Sequence, residues 1–312
     1  MLTGLGSPFA PQIGAFMSFP TLLHSVSYSG SWGQDLLPVD DFVRKAAALG
    51  FNGVMLMAKR PHLSVLDYDA QARAGLKKLI RQNGLTKVCL AGYSNFTADL
   101  EHAEIPMREM QISYVTELAQ LAHDIGGDLI RIYTGYENPA SGYLPQWNLV
   151  VDVLQECADR AAPLGVTVGV QNHHDIAVDY RSQRDLIEAV GRPNCRPLFD
   201  AWAPALQGTD IVEAARVMAP LMPHTTIANY QKRPRFLYEP DVINYRAGVP
   251  YAQAVPIDEG FIDYKTFLGA LRGGGFRGSV AYEMCSPILG GGSLENLDSY
   301  ARRFLLFMDA LK

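Results

Sequence analysis

Ala46-Ala47-Ala48-Leu49-Gly50-Phe51-Asn52-Gly53-Val54-Met55-Leu56-Met57-Ala58 contains the pattern from which the fold is read. A helical run stops at a glycine, and a short apolar run follows at once. Helices commonly end in the left-handed backbone conformation, which costs glycine little. The run 53–58 is apolar on both faces, as a strand is when helices cover a parallel sheet. The unit then recurs. Gly84 closes a helix over 70–83 ahead of a strand at 87–91, and Gly126 ends a helix from about 106 ahead of 129–133. Gly165 ends 147–164 ahead of 166–170, Gly191 follows 183–190 ahead of 197–200, and Gly275 follows 264–271 ahead of 279–283.

Adding a first strand at 12–19, a helix over 209–218 before a strand at 225–229, and a closing helix over 294–311 gives eight strand–helix units. That repeat predicts an α/β chain folded as a single (β/α)8 TIM barrel over 1–312 with long loops on its C-terminal face. Such a barrel needs about 250 residues, so the surplus belongs in those loops. The candidates are 20–38, 57–69, 134–145 and above all 230–260, a stretch rich in Pro, Tyr and Arg. It reads as a cover over the site or a contact with a neighbouring subunit, which leaves a homo-oligomer open. An open doubly wound sheet would carry a Gly-x-Gly-x-x-Gly turn after its first strand, and none is present.

Hydrophobic residues make up 48% of the 312, too many for a disordered chain. Lys plus Arg is 27 against 32 Asp plus Glu, a net charge of −5 that gives no general attraction to nucleic acid or anionic membranes. Neither partner is expected. No window approaches a membrane span, and residues 1–20 lack the basic region and apolar stretch of a secretory leader, so a cytoplasmic location is expected. Cys89, Cys157, Cys195 and Cys285 form no Cys-x-x-Cys pair and read as reduced thiols.

Chemistry in a barrel collects at the C-terminal ends of the strands. Those ends present Lys59, Arg60 and His62 after strand two, Arg131 and Tyr133 on strand four, and Gln171, His173 and His174 after strand five. Asp200 ends strand six, His224 precedes strand seven, and Glu283 ends strand eight within an apolar run. Arg131 alternates with Ile130 and Ile132 and so faces the barrel interior. Gly-x-Ser-x-Gly, the phosphate-binding Gly-x-x-x-x-Gly-Lys and His-Glu-x-x-His are all absent, which leaves serine-triad hydrolysis and nucleotide phosphoryl transfer unsupported. The carboxylates, imidazoles and amide make a hard N/O set suited to a divalent metal. Mn²⁺ comes first, with Mg²⁺, Co²⁺ or Zn²⁺ as alternatives. His173 or His174 is expected as base or hydroxyl donor because histidine titrates near working pH. Lys59, Arg60, His62, Arg131, Tyr133 and Arg233 are the expected substrate contacts.

Several segments match a known group in the right order. They are Leu49-Gly-Phe-Asn-Gly-Val-Met55, Val170-Gln-Asn-His173, Phe199-Asp200, Val255-Pro-Ile-Asp-Glu-Gly-Phe-Ile-Asp263 and Val280-Ala-Tyr-Glu283. Through them the chain resembles the sugar phosphate isomerase/epimerase group of xylose-isomerase-like barrels over nearly its whole length. The resemblance implies one divalent metal held by residues on strands five to eight. That metal polarises a sugar carbonyl and hydroxyl while carboxylates move a proton. Asp200 and Glu283 match two ligands, with Glu283 also catalytic. Gln171 stands at the usual glutamate position, where an amide oxygen can bind a cation but brings no charge and takes no proton. The usual strand-seven histidine falls at Thr226, with His224 on the same face as the nearest substitute. The implied function is metal-dependent isomerisation or epimerisation of a sugar or related polyhydroxylated molecule. A metal-dependent lyase (a dehydratase, or one cleaving oxidised glycosides) and a sugar-binding barrel without turnover are the alternatives. The related DNA-repair endonucleases hold a trinuclear metal cluster with several histidines and glutamates; this chain has only seven histidines, a net negative charge and Ala203 where a histidine would follow Asp200, so that branch is rejected.

Overall fold

The computed structural model describes residues 19–311. Eight parallel strands form the barrel: β1 (Thr21–His24), β2 (Gly53–Met57), β3 (Lys87–Ala91), β4 (Leu129–Ile132), β5 (Thr167–Gln171), β6 (Cys195–Leu198), β7 (His224–Ile227) and, after two strands described below, β10 (Ser279–Tyr282). Helices α1 (Val39–Leu49), α2 (Ala70–Gln82), α3 (Met107–Ile125), α4 (Tyr143–Ala161), α5 (Tyr180–Val190), α6 (Trp202–Gln207), α7 (Ile211–Met218), α8 (Tyr264–Gly273) and α9 (Leu294–Asp309) pack outside. Asp69, Asp179, Asp210, Asp263 and Ser293 each accept a backbone N–H at the start of a helix, satisfying donors that the helix leaves free. At the other end of α1, Gly50 adopts φ +100° and its N–H closes onto Ala46 and Ala47.

Ladders run β6-β5-β4-β3-β2-β1-β10-β7, so the ring lacks a ladder only between β6 and β7. Pro197 lies in β6 and has no N–H to give, which suits an edge strand. Thr225 Oγ1 bridges the seam to the Phe199 carbonyl at 2.8 Å. Leu22, Met55, Cys89, Ala91, Leu129, Leu198 and Ala281 fill the barrel's centre, and the larger core lies between strands and helices.

Two expectations need correction. The first strand expected at 12–19 falls outside the described residues except for Phe19. The first described barrel strand is Thr21–His24, inside a stretch read as loop; a four-residue run between Pro20 and Ser25 is too short to show a period. The stretch 230–260 is largely not a loop. It forms an antiparallel hairpin of β8 (Asn229–Glu239) and β9 (Asn244–Val255), shifted in register between Arg233 and Arg235. Its middle is exposed on both faces, so the sequence carries no apolar–polar alternation there.

Candidate active site

Parallel pairing aligns the C-terminal ends of the strands, and residues there converge on one small cavity of about 210 Å³. Its lining includes Gln171 after β5, Asp200 after β6, Glu283 after β10, His173, Trp202 and Cys285. Tyr230 and Ala252, at the base of the hairpin, close another wall. Two larger cavities, about 520 and 460 Å³, open at the opposite end of the barrel and contain none of the expected site residues.

Asp200 is buried. Its Oδ1 accepts the Trp202 N–H at 3.0 Å, and its Oδ2 accepts a short hydrogen bond from Gln171 Nε2. Burial pushes its carboxyl up to about 7; the Gln171 bond opposes the rise, and the nearby Glu283 charge adds to it. Glu283 is also raised by burial, against the pull of Arg131. Among the described residues neither carboxylate meets a Lys or Arg within ion-pair distance. Gln171 Oε1, with its amide nitrogen committed to Asp200, is buried with no donor.

A second group lies beside the carboxylates. Arg131 is buried in the barrel, its guanidinium 4.4 Å from the Tyr133 ring centre and 5.3 Å from that of Tyr93. Among the described residues its Nε has no hydrogen-bond partner and no carboxylate lies within ion-pair distance of it. Lys59 Nζ sits 4.0 Å from the centre of the same Tyr93 ring, so one aromatic ring serves two cations. His24 Nδ1 lies 3.2 Å from the Val26 N–H. Its Nε2 lies 3.8 Å from Glu283 Oε2 and 3.3 Å from Arg131 Nη2, whose guanidinium can only donate. Burial, then the Arg131 charge, holds His24 neutral.

Of the expected residues, Gln171, Asp200, Glu283 and His173 therefore meet, with Arg131, Tyr133 and Lys59 close by. Tyr133 packs on both His173 and His174, with ring centres 4.6 and 4.4 Å apart. The two imidazoles join through their Nδ1 atoms at 2.7 Å. Desolvation pushes both below the usual histidine range, aided by Arg131. The expectation that one titrates near neutrality does not hold.

Four expected residues are elsewhere. His224 begins β7, paired in register with Ser279 at the start of β10, at the N-terminal end of the barrel. Its Nδ1 meets Ser279 Oγ at 2.7 Å, and burial lowers its pKa to about 3. Two residues of strand span about 7 Å, and that height separates it from the carboxylates at the C-terminal ends. Arg60 is turned outward in an exposed pair with Asp67, Nε to Oδ2 at 2.7 Å. His62 is buried between Ser25 Oγ at 3.0 Å and the Leu37 carbonyl at 3.1 Å. Arg233 lies exposed on the hairpin and holds Gln253 at 2.8 Å.

The sequence reading missed His24, Tyr93, Trp202, Tyr230 and Cys285. Trp202 and Cys285 each stand two residues beyond a strand-end carboxylate, a spacing that signals them. His24 was hidden by the misplaced first strand. Tyr230 Oη meets Cys285 Sγ at 2.8 Å, and that thiol lies 3.4 Å from Glu283 Oε1. Burial and the Glu283 charge keep Cys285 protonated.

No group of three or more His, Cys, Asp or Glu side chains is arranged to hold a metal among the described residues. The oxygen donors nonetheless fit a hard cation. A buried carboxylate, Asp200, and a half-buried one, Glu283, neither with a Lys or Arg partner among the described residues, stand beside an amide oxygen without a donor.

A family model described as Xylose isomerase-like TIM barrel matches residues 43–305. The fold resembles D-psicose 3-epimerase from Clostridium cellulolyticum H10, solved with D-tagatose: TM-score 0.71 at 18% identity, covering 95% of this chain and 99% of that one. It resembles an L-ribulose 3-epimerase equally, with TM-score 0.71 at 18% identity over 95% and 94% of the two chains. A xylose isomerase-like TIM barrel protein from Mycobacterium smegmatis in complex with magnesium gives TM-score 0.66 at 13% identity, covering 94% and 96%. No curated protein matches the sequence. At these identities the structural likeness establishes the fold.

Proposed function

The chain belongs to the xylose isomerase-like TIM barrel family, and from that premise we propose that it is an isomerase or epimerase. The reaction is proton transfer on a small sugar or related polyhydroxylated molecule. The observation that carries this reading is a pair of carboxylates, buried Asp200 and half-buried Glu283, facing one cavity beside the unsatisfied oxygen of Gln171. A cavity of about 210 Å³ is below the range of roughly 300–1,000 Å³ usual for drug-sized ligands, and so favours a small substrate. Trp202 and Tyr230, with ring centres 4.2 Å apart, offer an apolar wall to the C–H face of a sugar.

Asp200, Glu283 and Gln171 Oε1 would hold a divalent metal, Mn²⁺ first by its taste for mixed hard donors. When bound, that ion would polarise a substrate carbonyl and so acidify the neighbouring C–H. Glu283 is the base. Its carboxylate is partly desolvated and accepts a hydrogen bond from the Cys285 thiol at 3.4 Å, with the neutral His24 ring 3.8 Å away. Neutral His173 donates to or accepts from a hydroxyl at the rim. Arg131, whose charge acts on Glu283, and Lys59 over the Tyr93 ring add positive potential beside the cavity, which favours negative charge developing on the substrate oxygen.

A lyase on the same fold is the second reading, favoured by Gln171. An amide cannot serve as the second base that epimerisation from both faces requires, whereas elimination needs one. Incubating the metal-loaded protein with ketoses, sugar acids and keto-glycosides in D₂O separates the two. Deuterium uptake with the carbon skeleton retained supports the isomerase or epimerase. An unsaturated or cleaved product supports the lyase. Neither exchange nor product across the panel, with Mn²⁺ bound, would remove the catalytic reading and leave a sugar-binding barrel.

A further inference from the structure

The hairpin of β8 and β9 leaves the barrel at Asn229 and returns at Val255, and only its base is buried. That base is knotted by one side chain. Asn229 Nδ2 donates to the Ile257 and Ile262 carbonyls at 2.7 and 3.0 Å, and its Oδ1 accepts the Tyr230 and Ile262 N–H groups. Gly260 makes room for the knot, since a Cβ there would fall 1.9 Å from Asn229 Oδ1. Beyond the base, every residue from 232 to 238 is exposed. Successive strand residues point to opposite faces, so neither face rests on the barrel. Seven residues of strand reach about 24 Å into solvent.

An isolated two-stranded hairpin is marginal in water, yet this one is apolar at its far end. Phe236 is 63% exposed, Val242 64%, Ile243 81%, Tyr245 65% and Val249 79%. Ile243 adds a second observation. It occupies the left-handed region at φ +50°, where a β-branched side chain is strained and glycine or asparagine would sit comfortably. A strained, exposed isoleucine at the tip is accounted for by a partner that receives its side chain. The arm carries four basic residues (Lys232, Arg233, Arg235, Arg246) against Glu239 and Asp241, in a chain whose net charge is −5. Pro234 and Pro250 interrupt the two outer edges, so the arm presents its faces rather than its edges for docking.

We propose that the arm docks on a second copy of this chain, on the acidic and apolar surface formed by the loops after β3 and β4. Leu100, Ile105, Tyr136 and Leu144 are exposed there, and Glu101, Glu104 and Glu137 are exposed among them. Hydrogen bonds make these loops one surface: Asn138 Nδ2 donates to the Leu100 carbonyl at 3.0 Å and Thr97 Oγ1 to that of Tyr136. β3 lies diametrically across the eight-strand ring from β7, so a chain's own arm stands on the far side of its mouth. A two-fold axis crossing the line from β3 to β7 sets the mouths face to face and brings each arm over the other's patch. One kind of contact, made twice, closes the dimer. An arm of 11- and 12-residue strands plus the reciprocal patch supplies the roughly 20–30 residues a side typical of a stable interface.

Sedimentation velocity of the full chain at 1–100 μM tests this. The wild type should sediment as a dimer. Ile243→Gly combined with Tyr245→Lys should shift it to monomer, with the circular dichroism of the barrel unchanged. Glu101→Lys with Glu104→Lys should weaken dimerisation at least tenfold by reversing the patch charge. A wild type that is monomeric at 100 μM overturns the proposal, as does a dimer that survives the arm variant. A dimer lost with the arm but indifferent to the two glutamates overturns the proposed receiving surface. Monomer that co-sediments with anionic phosphatidylserine vesicles through the arm would assign it to a membrane and overturn the proposal too.

Discussion

Replacing Asp200 by Asn should stabilise the metal-free protein above neutral pH. In the native state the carboxyl is buried and pushed up to about 7, from 3.8 in the unfolded chain. The folded protein therefore binds this proton more tightly than the unfolded one. Its contribution to stability is fully present below about pH 4 and is lost as the pH rises toward and through about 7. At about 1.4 kcal/mol for each tenfold step in proton affinity, the loss approaches roughly 4 kcal/mol. Asparagine mimics the protonated acid. Its oxygen keeps the Trp202 N–H, and its amide group faces Gln171, which can turn its unsatisfied Oε1 to accept. In a chelator at pH 8.5 the variant should melt higher by about 8 °C, taking roughly 2 °C per kcal/mol for a chain this long. The two curves should converge toward pH 4. Thermal melts followed by circular dichroism across pH 4–9, in EDTA, measure this directly. A lower Tm for the variant at pH 8.5, or a gap that does not close on acidification, would show that Asp200 is not a strained carboxylate.

Gln171→Glu would place a third carboxylate against Asp200, lowering the Tm of the metal-free protein while tightening Mn²⁺ about tenfold by calorimetry. Glu283→Gln should weaken Mn²⁺ binding and abolish solvent proton exchange, and retention of both would move the site elsewhere. His224→Gln should leave Mn²⁺ affinity within twofold of wild type, because the ring lies at the other end of the barrel beside Ser279; a large loss would mean the strand end is misplaced. Because desolvation keeps His173 and His174 neutral, replacing both by Asn should leave the shape of the kcat/KM–pH profile between pH 6 and 8 unchanged while lowering its height.

Residues whose role is set by local chemistry were legible in the sequence. Gly50 and Gly126 end helices because of their own backbone freedom, and Asp200 and Glu283 stand out as acids at the ends of apolar runs. Residues whose role depends on distant partners were not. His62 looks like a site residue until Ser25 and Leu37 capture its ring, and both belong to a segment first read as loop. His224 shows the limit of strand periodicity, which fixes a side chain's face but leaves its height to the register between strands. The hairpin escaped because pattern reading detects burial, and its middle is not buried within one chain.

The missing ladder between β6 and β7 makes this barrel, topologically, a strip curled until its margins touch. Phe19 and Leu311 come together at another point on the strip. Arg272 donates to the Leu311 carbonyl at 2.6 Å and lies 5.3 Å from the Phe19 ring centre. Joining Leu311 to Phe19 through a short linker in place of residues 1–18, and opening the chain between Gly208 and Thr209, would yield a permuted protein beginning on one margin and finishing on the other. Every β-ladder would survive, and the eight barrel strands would run in chain order across the whole strip, β10 and β1 becoming neighbours along the chain.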